Sequence, residues 1–296
     1  MHFKLNNVSS IQIFNLMRFT ATIGIGIFLT KTSLSTQEIA IYEGLLFLGN
    51  LFCFFWIGGG QSALLSLFPK LEGGDQKSLI FQAFILFSLL GIIAAAALMS
   101  LGGLITKHLT SFETLPYIHW LALYIMLNVP AFLVHIYYLL LNQQKAIIGW
   151  GILSFGAQML VVLVPVWLTG DLEWSFIGLA FLAFVKYLWT LAIVFYHGRF
   201  QVSVPLLVRY CTLALPLILN LLIGNSTEYI DGLIVTSHFE DMGTFAIFRY
   251  GARELPLVTL MVSGLVTALL PLVAGSEAAG LQALRQRTTQ FAHWLF

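Results

Sequence analysis

Runs of about twenty or more apolar residues recur along the whole chain, and no other feature restricts its fold as tightly. A helix needs about 20 such residues to cross the hydrocarbon of a bilayer. Within that hydrocarbon only helices and closed barrels satisfy every backbone polar group. Eight runs are legible: Ser10 to Thr30, Ile39 to Phe68, Leu79 to Thr106, Leu115 to Leu141, Ala146 to Leu168, Trp174 to Tyr196, Val208 to Thr236 and Thr244 to Ala274. A ninth has barely begun at Phe296. The links LEGGDQKS, NQQKA, TGDLEWS and SHFEDMG are short and carry the Gly, Asp and Asn punctuation of turns between antiparallel helices. Strand-period alternation is missing, which argues against an outer-membrane barrel. The expected fold is an all-α, polytopic transmembrane helical bundle.

Composition excludes several functions. Charged residues make up 9% of the chain, against roughly 25% in an ordinary soluble domain, so a soluble enzyme with one anchor does not fit. A net charge of +1 with no basic block gives nothing to neutralise a nucleic-acid backbone. Cys53 and Cys211 lie inside apolar runs, and His135 has no His or Cys at ligand spacing, so neither a disulfide framework nor a metal site is supported. His135 reads as interhelical packing. Walker, HExxH, GxSxG and phosphotransfer motifs are missing, so the chain is expected to be neither an ATP-driven pump nor an enzyme, and to need no cofactor.

Arg18 interrupts the first run and no small-residue cleavage pattern follows, so that run reads as a mature helix and not a signal peptide. Basic residues set the expected orientation. With the N-terminus inside, Lys4, Lys70, Lys77, Lys145, Arg199, Arg209, Arg285 and Arg287 fall on the cytoplasmic side, and only Lys31 and Lys107 fall outside.

An internal repeat is visible. STQEIAIYEGLLFLGN, entering the second run, resembles FEDMGTFAIFRYGARE, entering the eighth, and GQSALLSLFP is answered by LVTALLPLVA. The period is about 205 residues, with six helices between equivalent points, as in transporters built from parallel repeats. Glu43 occupies the repeat position of Arg249 and is placed to pair across the bundle.

At these residues the chain resembles the polysaccharide-exporting, O-antigen-type flippases of the multidrug/oligosaccharidyl-lipid/polysaccharide exporter superfamily. The likeness rests on Arg18 within FNLMRFTATIGIGIFL, on IYEGLLFLGN followed by SALLSLFPK, and on ALPLILNLLIGNSTEYIDGLIVTSHFEDMGTFAIFRYGARELPL. It implies two six-helix lobes around a central cavity that opens alternately to either side and moves an isoprenoid-pyrophosphate-linked glycan outward. Residues 1–200 then form the N-terminal six-helix lobe, and 201–296 the start of an incomplete C-terminal lobe. Four further helices are expected to follow, so that this chain alone would not transport.

Charges inside the apolar runs are the sharpest site candidates, because an ionised side chain at mid-bilayer costs at least about 2.5 to 3.5 kcal/mol on insertion scales. Glu228 and Asp231 share one face of the seventh helix, Arg249 and Arg253 one face of the eighth. The two sets mirror each other about residue 240, so an antiparallel hairpin would place Asp231 beside Arg249 and Glu228 beside Arg253. Such a ladder is either a structural pin or a gate and ion-coupling site. Arg18, roughly 13 Å deep at about 1.5 Å per residue, either binds the pyrophosphate bidentately or reaches back to the inner interface. Lys186 either faces the cavity or meets a carboxylate on another helix. Asn15, Asn50, Asn128, Gln158, Asn220 and Asn225 bring amides to membrane depth, and Asn220 and Asn225 are the favoured sugar ligands. Pro130 and Pro216 are expected to kink their helices, and Gly58 to Gly60 to mark a close helix contact.

The function these features favour is a multi-pass flippase of the bacterial inner membrane. A lipid-linked glycan would be its substrate and a proton or sodium ion its coupling partner. A drug or metabolite cation antiporter of the same superfamily is the alternative. A glycan polymerase or ligase ranks third, since no loop offers a long extracytoplasmic catalytic segment.

Overall fold

The computed structural model describes residues 6–109, 116–239, 242–251 and 257–275, with 282, 285 and 289. The fold is an all-α polytopic bundle, and no strand occurs among the described residues. Among the described residues, six spans are long and apolar enough to cross a membrane, and a bent helix pair makes a seventh.

Local chemistry sets where helices start and break. Helix α1 (Asn7–Leu29) opens on a reciprocal cap: Asn6 Oδ1 accepts from the Ser9 amide at 2.8 Å, and Ser9 Oγ accepts from the Asn6 amide at 3.0 Å. Helix α2 (Thr36–Leu51) opens the same way on Ser35 and Glu38. The second apolar run was expected to be a single helix, but it divides. α3 (Phe54–Leu67) follows α2 at an angle of 48°. The Trp56 indole N–H donates to the Phe52 carbonyl at 2.7 Å, so a side chain takes an acceptor at the break. A 3₁₀ turn, Phe68–Lys70, leads through Gly73 at φ +45° into α4 (Gly73–Leu109).

The fourth run is α5 (Ile118–Asn128), a 3₁₀ turn at Pro130–Leu133, and α6 (Val134–Leu140), which together form one span. Pro130 has no amide hydrogen to continue the α ladder, and the helix tightens there. α7 (Gln144–Thr169) ends at Gly170, whose φ of +69° lets its amide cap the Val166 carbonyl. α8 (Glu173–His197) and α9 (Val204–His238) follow, the latter unbroken through Pro216. The eighth run holds α10 (Met242–Gly251) and α11 (Leu257–Gly275), on either side of 252–256.

Large apolar side chains cover the outside. Trp167, Phe181, Phe195 and Ile152 are each more than 60% exposed, an arrangement that only a hydrocarbon solvent makes favourable. Inside, glycines allow close approach: a Cβ on Gly59 would come within 2.7 Å of the Ile218 backbone nitrogen, and Tyr210 Oη donates to the Gly60 carbonyl at 2.8 Å. The glycine run of α3 is therefore a contact surface for α9, as its sequence implied. Polar contacts sort the helix ends into two sets. At one end Asn7 bonds Asn142 and Gln144, and the Arg199 amide donates to the Lys77 carbonyl. At the other, Trp120 donates to Glu173, and Gly170 lies against Ser33.

Candidate functional site

A cavity of about 640 Å³ lies within the bundle, walled by α1, α2, α3, α5, α6, α7 and α8, with Leu221 of α9 and Ser263 and Thr267 of α11. Helical periodicity brings Arg18 there. Ile11, Asn15, Arg18 and Thr22 stand at spacings of four, three and four on α1, which is one stripe of a 3.6-residue helix, and all four line the cavity. On α8 the same rule places Lys186 in the inward stripe Leu179, Ala183, Lys186, Thr190. Lys186 is 6% exposed, lines the cavity, and makes no ion pair among the described residues. Of the two environments open to it from the sequence, the structure has the cavity.

No Asp or Glu is among the described lining residues. Most of the remaining polar wall consists of amides and hydroxyls. Asn15, Asn50, Asn128 and Gln158 all reach it. Asn128 Nδ2 donates to Tyr124 Oη at 3.2 Å, and Gln61 Nε2 to the Phe132 carbonyl at 2.7 Å. Gln61, Ser62, Tyr124 and Ser154 are wall residues that the sequence did not single out. A glutamine or serine in an apolar run gives no sign of which way it faces. His135 packs as expected, its ring stacked on Phe14 at 4.5 Å between centroids and 17° between planes, and it also lines the cavity. Asn220, favoured as a sugar ligand, is exposed on α9 and is not part of the wall. Asn225 lies on α9, with its side chain outside the described residues.

The charged hairpin is arranged differently from the expected ladder. Arg249 Nε lies 3.8 Å from Glu43 Oε2, and Tyr250 Oη donates to Glu43 Oε1 at 3.0 Å. Glu43, 4% exposed, is the one buried carboxylate among the described residues. The guanidinium also sits 5.6 Å from the centre of the Phe47 ring. Asp231 is exposed and makes no ion pair among the described residues. The reason is rotational. Phe245 and Arg249, four apart on α10, both meet Phe47 of α2, and Gly232 of α9 meets the same ring. Asp231, one residue before Gly232, is turned about 100° away. The Glu228 side chain and all of Arg253 lie outside the described residues, and with them the second rung. Tyr250 touches a third helix, since a Cβ on Gly26 of α1 would come within 2.5 Å of its ring.

A membrane-embedded chamber that has two cations, several amides and no carboxylate among the described residues of its wall is suited to an anion carrying hydroxyl groups. Guanidinium and ammonium groups bind phosphate or carboxylate oxygens, and amides bond both donors and acceptors. No family model, curated protein or solved structure matches the chain.

Proposed function

We propose that this protein is a flippase of the bacterial inner membrane, moving an isoprenoid-pyrophosphate-linked glycan across it by ion-coupled alternating access. The observation that carries the reading is the chemistry of the cavity: Arg18 and Lys186 on a wall with no Asp or Glu among its described residues. The pyrophosphate is the anion for these cations, and the wall amides meet the sugar hydroxyls. A cation antiporter would need acids where this wall has bases, and the buried carboxylate, Glu43, is already engaged by Arg249 and Tyr250. That contact is the gate. Glu43 and Arg249 hold equivalent positions in the two repeats, and equivalent positions of halves related by a two-fold can touch only near its axis. The axis is where two lobes close.

The test is binding of fluorescent lipid-linked glycans to the purified chain in detergent. A hydrogen bond to a charged group contributes about 1.5 to 3 kcal/mol, so Arg18→Gln and Lys186→Gln should each weaken binding about tenfold or more, with the fold retained. Wild-type affinity in the double variant would remove both residues from the site.

A further inference from the structure

A second opening, about 400 Å³, lies between the end of α3 with its 3₁₀ turn and the first turns of α9, at the end of the bundle that holds Lys77 and Arg199. It is separate from the cavity wall, sharing no lining residue with it. Its lining is Leu67, Lys70, Arg209, Thr212, Leu213 and Pro216. We propose that this groove is a specific binding site for an anionic phospholipid of the adjoining leaflet, with the phosphate between Lys70 and Arg209. The proposal does not depend on what the cavity transports.

Charge is the first argument. Lys70 and Arg209 come from different elements, are both exposed, and form no ion pair among the described residues. Two cations facing one groove repel each other and bind a phosphate oxygen with no described carboxylate competing for them. Depth is the second. Arg209 lies five residues past the start of α9, roughly 8 Å along it at about 1.5 Å per residue, which places the guanidinium near headgroup level if α9 starts at the membrane surface. Shape is the third. Below the cations the groove is floored by Leu67, Leu213 and Pro216. The stripe Arg209, Thr212, Pro216 continues along α9 at helical spacing to Leu219 and Ile223, which are 49% and 75% exposed. That stripe is a lane for an acyl chain, which a free phosphate would not use. Phosphatidylglycerol, which carries a net negative charge that phosphatidylcholine lacks, is the matching probe.

The experiment is lipid titration of the purified chain in neutral detergent, read by native mass spectrometry, with phosphatidylglycerol, phosphatidylcholine and inorganic phosphate. Phosphatidylglycerol should bind at least tenfold tighter than phosphatidylcholine and survive millimolar inorganic phosphate. Basic residues near an anionic lipid surface contribute about fivefold each, so Lys70→Gln with Arg209→Gln should weaken it roughly 25-fold. Lys70→Arg with Arg209→Lys should keep most of the affinity. Equal binding of the two lipids, or wild-type affinity in the Gln pair, overturns the proposal. Displacement by inorganic phosphate at matching concentration also overturns it, and assigns the groove to a free anion. Should the Gln pair fail to fold, wild-type affinity for phosphatidylglycerol that does not fall between 50 and 500 mM salt overturns it instead.

Discussion

Buried ionic groups bind their surroundings tightly because losing one partner leaves the other uncompensated. Removing one member of a buried pair costs about 3 to 5 kcal/mol. Glu43→Ala deletes the acceptor for both Arg249 and Tyr250, and it should lower thermal stability in detergent well beyond Glu43→Gln, which keeps an oxygen for the phenol. Equal melting of both variants and wild type would show that the contact holds nothing together. The cations of the site were legible in the sequence, since a Lys or Arg within an apolar run stands out wherever it points. The amides were not. Asn50 and Asn220 look alike in sequence, yet one lines the cavity and the other does not. The difference is helix rotation, at about 100° per residue, and rotation is decided by packing partners such as Phe47 and Ile218 that a single chain's pattern does not reveal.

At the level of elements, α3 and α9 approach closely at Gly59, where membrane helices gain dispersion energy from backbone proximity. Gly59→Val forces the Ile218 backbone away. Overpacking of this kind costs about 1 to 3 kcal/mol, so thermal unfolding should show a clear loss of stability. A control at Gly149, where a Cβ meets nothing within 4 Å, should melt as wild type. Wild-type melting of Gly59→Val would instead mean that the two helices slide freely. Apolar length marked out the spans, because about 20 residues of hydrocarbon is a coarse requirement that composition alone meets. It did not show the division of α2 from α3, because that break involves a hydrogen bond from Trp56 to Phe52, and an indole in an apolar run looks like any other bulky side chain.

For the molecule as a whole, Asp171 precedes α8 and Arg199 follows it, so the two stand at opposite ends of one span. With basic loops held inside, a cysteine introduced at Asp171 should react with an impermeant thiol reagent from outside the cell, and one at Arg199 only after the membrane is opened. The reverse pattern would invert the orientation and move the lipid groove to the other leaflet. The grouping of ends was legible in advance from loop charge: Lys77 and Arg199 were read to one side and are hydrogen-bonded there through their backbones.

The contact between Gly26 and Tyr250 ties the history of two distant positions together. The phenol that holds Glu43 occupies the space where any side chain at 26 would begin. A lineage that gains a Cβ at 26 must first shrink or swing the residue at 250, and in doing so it gives up a partner of Glu43. A lineage that keeps the aromatic where it stands cannot leave glycine. Substitutions at the two sites should therefore be inherited as a pair, although 224 residues of chain separate them.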